Sequence, residues 1–239
     1  MPFTMQFTMQ FTMQPFAFFD VDGTIIAKDS FFRLLRWRLG CEPWRIFPLL
    51  LLSPIFVLTY IFNWDRRYAK SALLWSLTCF KNRRKIVKIL SCDLSEILFQ
   101  EWLVETNDEL KKLRNSNHKI CYVSASGQIW LRGLLRRADT GPKIIIGSKL
   151  GFRFFGVVLI SPNCYGPEKL VRIKQLLGNN LDWHCAYSDH IADIPLLAAC
   201  KQRTLVNPRH KHLPIFDKNL PQPFQQVEWH TRSQKESLK

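Results

Sequence analysis

Residues 16–24 read FAFFDVDGT. An unbroken apolar run that ends in acid and glycine has the composition of a strand buried on both faces of a parallel sheet. Two aspartates in alternation place polar chemistry where that strand stops, and Gly23 lets the chain turn there. A DxDGT string alone is also ordinary turn composition, because turns are rich in Asp, Gly and Thr. Its meaning depends on the residues further along the chain.

Further strand composition appears in KICYV (119–123), from KIIIG (143–147) through FRFFGVVLI (152–160), in LDWHCAYSD (181–189) and in RTLVN (203–207). GQIWLRGLLRRA (127–138), EKLVRIKQLLG (168–178) and IPLLAAC (194–200) read as helices, the second closed by glycine. DLSEILFQEWLVETNDELKKLR (93–114) reads as one acidic amphipathic helix. Strands alternating with helices predict an α/β fold with a parallel sheet. From Arg209 onward the chain is polar with scattered proline, which predicts a loosely ordered tail over 209–239.

Ligands of doubly wound sheets gather at the carboxyl ends of the strands. Candidate polar groups occur at such ends: Asp20, Asp22 and Thr24 after the first strand, Ser124 after KICYV, and Asp189 and Asp193 after WHCAY. Lys169 stands at the start of a helix between them. Each has a plain alternative: Asp22 as a turn residue, Ser124 as a helix cap, Lys169 as a solvated lysine, Asp193 as a cap or ion-pair residue. His184 and His190 read as structural or exposed, and Cys164 as a packed thiol.

The ordered set FDVDGT (19–24), VSAS (123–126), Lys169 of GPEKL and YSDHIADIPLL (187–197) resembles the haloacid dehalogenase superfamily, in its branch that includes phosphoserine phosphatase. The resemblance spans about 16–208 and implies a Rossmannoid three-layer core with an inserted helical cap. It implies Asp20 as the nucleophile that forms an aspartyl-phosphate and Asp22 as the acid and base. Thr24 and Ser124 would donate to phosphate oxygens, and Lys169 would neutralise the trigonal transition state. A magnesium ion would rest on Asp20, the backbone carbonyl of Asp22 and Asp189, with Asp193 supporting or ligating. Aspartate at position 22 favours a phosphatase over the dehalogenases and transport ATPases of the superfamily. The expected organisation is a core of 15–28 and 99–208, a cap of 29–98, and a 1–14 segment in which FTMQ repeats three times.

The cap carries the other strong signal. IFPLLLLSPIFVLTYIFNW (46–64) has no charge, and a bilayer-spanning helix needs roughly 20 apolar residues. Asp20 and Ser124 must meet at one phosphate, so the chain between them crosses a bilayer an even number of times. SALLWSLTCF (71–80) is too short to be the second span, so a single-pass helix is excluded. Pro48 and Pro54 favour a broken, shallow arrangement near lipid headgroups. Between Lys28 and Cys92 thirteen Lys and Arg face Asp29, Glu42 and Asp65, a balance of +10 within a chain of net +15. Basic charge beside apolar surface fits an anionic membrane surface better than nucleic acid, which has no use for a long uncharged run.

This pattern is similar to the bacterial phosphatidylglycerophosphatase C family, which implies phosphatidylglycerol phosphate as the phospholipid substrate and the cytoplasmic face of a bacterial inner membrane as the location. A phosphatase for a soluble metabolite such as phosphoserine, with the apolar run as cap core, stays open. So does a non-catalytic membrane or nucleic-acid binding protein. Seven cysteines without a CxxC or a zinc spacing read as reduced thiols.

Overall fold

The computed structural model describes residues 14–62 and 67–237. The FTMQ repeat up to position 13 and the end of the apolar run at 63–64 lie outside them. β1 (Pro15–Phe19) is buried on both faces: Phe16 and Phe18 enter one core, Ala17 and Phe19 the other. Between Ser30 and Phe99 the described chain holds helices and no strand. It forms α1 (Ser30–Cys41), α2 (Ile46–Leu51), α3 (Ser53–Ile61), α4 (Arg67–Thr78), α5 (Arg83–Lys88) and α6 (Leu94–Phe99). Asp29 caps α1, its carboxylate accepting from the Phe32 amide at 2.7 Å. The apolar run is divided at Leu52 into α2 and α3, and no helix among the described residues is long and apolar enough to cross a membrane.

The chain continues through α7 (Glu105–Asn115), β2 (Lys119–Gly127), α8 (Gln128–Arg137) and β3 (Ile144–Ser148). A hairpin of β4 (Leu150–Arg153) and β5 (Gly156–Leu159) comes next, then α9 (Pro167–Leu177), β6 (Asp182–Ser188), α10 (Ile194–Ala199) and β7 (Gln202–Val206). The last elements are α11 (Leu213–Asn219), β8 (Gln225–Val227) and α12 (Arg232–Ser237). The main sheet has the order β3-β2-β1-β6-β7-β8, with every pair parallel. Leucines of α6, α7 and α8 cover one face, while Ile173 of α9, Leu196 and Leu197 of α10 and Phe216 of α11 cover the other. This is the expected three-layer α/β architecture. The strand order reverses at β1, so the crevice between β1 and β6 is the topological switch point where such sheets bind ligands.

Two local expectations are corrected. The amphipathic stretch 93–114 is not one helix; it opens between α6 and α7. The Ala27 amide donates to the Glu101 carbonyl at 2.8 Å, the Leu103 amide to Ile25 at 2.9 Å, and the Val104 amide to His230 at 2.9 Å. Partners from two distant segments replace the helical ladder there, and Trp102 and Leu103 are buried in return. The segment after Arg209 is not a loose tail either. It supplies α11 and the edge strand β8, and buries Phe216, Leu220 and Trp229. Its apolar residues are too widely spaced to announce an element, yet Phe216 and Leu220 join one core cluster and Trp229 the other.

Candidate active site

β1 ends in a tight loop whose backbone turns on itself. The Val21 carbonyl accepts from the Ile25 amide at 2.9 Å, and the Gly23 amide donates to Ile26 at 2.8 Å. Gly23 has φ +83°, and a Cβ there would lie 2.3 Å from Asp189 Oδ2. Only glycine meets both demands, a left-handed backbone and close approach of a carboxylate. Asp20 is tied to the neighbouring strand by its amide, which donates to the Tyr187 carbonyl at 3.0 Å.

Asp22 is fastened by three serines. Its Oδ1 accepts from the Ser30 amide at 2.7 Å, at the first turn of α1, and its Oδ2 accepts from Ser124 Oγ at 3.2 Å and from Ser126 Oγ. Ser30 Oγ in turn accepts from Trp130 Nε1 at 3.2 Å. Burial, reinforced by Asp29, holds the Asp22 carboxyl above its usual range, while the hydrogen bonds from Ser126 and Ser30 pull it partly back. A raised carboxyl can carry a proton to a leaving group. Ser126 and Ser30 were not singled out from sequence. The alternation in VSAS would have placed Ser126 on the same face as Ser124, whereas Ser30 carries no local signal.

Lys169, in the first turn of α9, is buried and reaches Asp20 Oδ1 and Asp193 Oδ2, each at 2.7 Å. Burial alone would discharge the ammonium, but Asp193 and Asp20 outweigh it and hold its pKa above the normal lysine value. Asp193 Oδ2 also accepts from Ser188 Oγ at 2.7 Å. Asp20 is raised well above the ordinary aspartate value by burial and by Asp193, Asp189 and Asp22, against the lowering pull of Lys169. Asp189 is pushed up to about 7, first by burial and then by Asp193. Thr24 is fully buried and its hydroxyl turns to Asp189 Oδ1 at 3.4 Å. The loop thus turns the Thr24 hydroxyl towards the Asp189 carboxylate. The remaining predicted residues, Asp20, Asp22, Ser124, Lys169, Asp189 and Asp193, share one cleft.

The donors match a small hard cation. Among the described residues no three acidic, histidine or cysteine side chains converge on a point that could hold a metal. These contacts are compatible with the ligand set the resemblance implies, with Asp193 in a supporting place: Asp193 is engaged by Lys169 and Ser188, and the Asp22 side chain by its serines. Asp20, Asp189 and a backbone carbonyl remain, and magnesium commonly takes one or two carboxylates and completes its shell with water and phosphate.

The cleft, about 1070 Å³, extends beyond the aspartates. Lys70 from α4 enters it and donates to Asn163 Oδ1 at 3.1 Å, and Arg209, His210 and Trp229 form the far wall. None of these was visible in a motif, because each comes from an element outside the four. His190 lines the cleft while its Nδ1 accepts from the Ala192 amide at 3.0 Å, and His184 meets His118 edge to face at 4.6 Å.

Comparison with known proteins fits this geometry. The family pattern described as haloacid dehalogenase-like hydrolase matches residues 17–198. Protein CicA of Caulobacter vibrioides is 26% identical over 194 residues, covering 77% of this chain and 82% of its own. A Bordetella pertussis Tohama I protein of unknown function superposes with a TM-score of 0.69 at 18% identity, covering 90% of this chain and 99% of the other. A phospho-aspartyl intermediate analogue of phosphoserine phosphatase gives a TM-score of 0.53 at 16% identity, over 95% and 100% of the two chains.

Proposed function

The chain belongs to the haloacid dehalogenase-like hydrolases, and from that premise we propose that it is a magnesium-dependent phosphomonoester hydrolase whose substrate is a phosphorylated membrane lipid. The observation that carries the chemistry is the buried Lys169 bridging Asp20 and Asp193 beside an Asp22 poised by Ser30, Ser124 and Ser126. Lys169 holds Asp20 Oδ1, and the other carboxylate oxygen attacks phosphorus. The bond from phosphorus to the ester oxygen breaks as the Asp22 carboxyl gives that oxygen its proton. The Asp22 carboxylate then takes a proton from water, whose oxygen attacks the aspartyl-phosphate, releasing inorganic phosphate and regenerating Asp20. Magnesium held by Asp20, Asp189 and the Asp22 carbonyl would supply positive charge against the repulsion between anionic substrate and nucleophile. Lys169, in contact with Asp20, contributes positive charge in the same sense.

The lipid reading is supported by the helices between the catalytic elements. Phe47 is 70% exposed, Leu51 76% and Ile61 64%, on α2 and α3 that carry no charge. Soluble surfaces rarely gather so much apolar area without a partner. Phosphatidylglycerol phosphate is the substrate we infer, acted on at the cytoplasmic face of a bacterial inner membrane. The test is phosphate release by purified protein from phosphatidylglycerol phosphate, phosphatidic acid and phosphoserine, with and without magnesium. Turnover of the lipid, lost in Asp20→Asn and in chelator, is expected. Turnover of phosphoserine alone would redirect the reading to a soluble metabolite, and no release from any substrate would overturn it.

A further inference from the structure

The β4–β5 hairpin closes over two residues, Phe154 and Phe155, with Arg153 paired to Gly156 across the turn. Both residues have positive φ, +49° and +59°. A two-residue turn of this hand favours Asn-Gly, because side chains with a Cβ resist the left-handed region and bulky ones resist it most. Here two phenylalanines occupy it, and both rings stand in solvent, at 82% and 73% exposure. Their presence opposes both local preference and burial. Among the described residues no ring stacking or burial accounts for them.

The tip is held in place through its backbone. Trp75 Nε1 donates to the Phe154 carbonyl at 2.7 Å, and the Phe80 amide donates to the Phe155 carbonyl at 3.0 Å. A Cβ on Gly156 would come within 2.7 Å of the Trp75 ring, so the hairpin lies tight on α4. Phe80 is itself 71% exposed, and its ring centroid lies 6.5 Å from that of Trp44, which leads into α2. The tip is thereby joined, through Phe80 and Trp44, to the exposed apolar helices that the lipid reading invokes. The surrounding charge is of one sign. Lys81, Arg83, Arg84, Lys85 and Lys88 come after Phe80, Lys149 and Arg153 flank the tip, and neither stretch contains an acid. The carboxylate bordering this region, Glu42, is neutralised by Arg38, Arg45 and Lys81 at 2.9 Å each.

We propose that the Phe154–Phe155 tip is an insertion element that seats in the interface of an anionic bilayer together with α2 and α3. The proposal rests on the lipid reading above and adds a surface outside the helical insert to it. Aromatic rings over a basic collar suit this depth, where the rings leave water and the cations meet lipid phosphate. Two rigid contacts, the hairpin tip and α2–α3, would fix the orientation of the cleft towards the bilayer.

The experiment is sedimentation with vesicles of phosphatidylcholine and phosphatidylglycerol at 3:1, comparing the full chain, Phe154→Asn/Phe155→Gly, and Leu50→Ser/Leu51→Ser. The double hairpin variant places the preferred turn residues and should fold at least as well as the parent. The single Phe155→Gly variant serves if it does not. Partitioning is expected to fall on the order of tenfold or more, from two rings that no longer leave water, while hydrolysis of soluble p-nitrophenyl phosphate is unchanged. If the parent binds and the hairpin variant binds equally, the insertion proposal fails while the lipid reading stands. If the parent does not bind these vesicles, both fail. A change from dimer to monomer on substitution, in vesicle-free buffer, would identify a self-association face and also overturn the proposal.

Discussion

Replacing Lys169 with methionine tests the electrostatics of the cleft directly. Methionine keeps most of the side-chain volume, so the change removes charge rather than packing. The Lys169 side chain is only 3% exposed and contacts two carboxylates, Asp20 and Asp193, at 2.7 Å each. Leaving buried charge without its partner costs about 3–5 kcal/mol. For a chain of this size that corresponds to a fall in Tm of roughly 6–20 °C. The sign with pH follows from Asp20, already raised by burial and by Asp193, Asp189 and Asp22. Without Lys169 its folded pKa rises further above the unfolded value. Stability from a raised carboxyl is present below the unfolded pKa and is lost as pH rises through the folded one. The penalty is therefore small near pH 4 and grows towards pH 8. Urea unfolding followed by tryptophan fluorescence, in chelator at pH 5 and pH 8, measures it, with an unchanged m-value as the check on two-state behaviour. Combining the change with Asp20→Asn should recover part of the loss, since the two sites share one network. A variant as stable as the parent at pH 8 would mean that solvent or local rearrangement neutralises these aspartates, and the account of Lys169 would fall.

Asp22→Asn is expected to lower kcat/KM for alkyl phosphates by about 10²–10⁴ but to spare p-nitrophenyl phosphate, whose leaving group needs no proton; equal losses on both substrates would count against Asp22 as the acid. Gly23→Ala, at φ +83° and with its Cβ 2.3 Å from Asp189 Oδ2, should weaken magnesium binding at least about tenfold if that carboxylate is a ligand, as read by the metal-dependent shift in Tm. Because Asp189 is pushed up to about 7, metal must displace its proton. Apparent magnesium affinity should rise with pH up to about 7 and level off above it, while metal-free stability from this group declines over the interval between its ordinary value and about 7; calorimetric titration at pH 6, 7 and 8 checks the first and unfolding in chelator the second. Trp229→Ala should cost about 3–5 kcal/mol, because Trp229 is buried, stacks on Tyr187 at 6.1 Å, and belongs to the segment that carries β8; unchanged stability would show the C-terminal segment to be dispensable.

Much of the site was legible because local rules coincide there. FAFF is apolar at every position since β1 is covered on both faces, and the acids begin where that cover ends. Lys169 was placed by its motif rather than its surroundings, and the structure gives it two carboxylates. The direction of Thr24 is not legible locally, because a loop residue's direction depends on how the loop closes, and this one closes inward on Asp189. The serines around Asp22 were only half visible: Ser124 lies in a motif, Ser126 shares its strand, and Ser30 belongs to a helix that happens to start beneath the carboxylate. The broken helix at 100–104 and the strand β8 were not legible at all, since their backbone partners lie in segments far away in the chain.

By itself the sequence determined the alternation of strands and helices, the order of the candidate site residues, and a proline-interrupted apolar run unable to form one straight span. These follow from period, composition and turn chemistry, all local. Only the tertiary structure decided which groups meet. Lys169 and Asp20 are 149 positions apart, and their contact at 2.7 Å exists because the strand order reverses at β1. The same holds for Phe154 and Phe155, unremarkable within a predicted extended stretch. Packing of the hairpin on α4 carries them to the edge of the apolar face, and that juxtaposition belongs to the fold, because contact between distant segments is set by topology and packing and not by the residues' own neighbours in the chain.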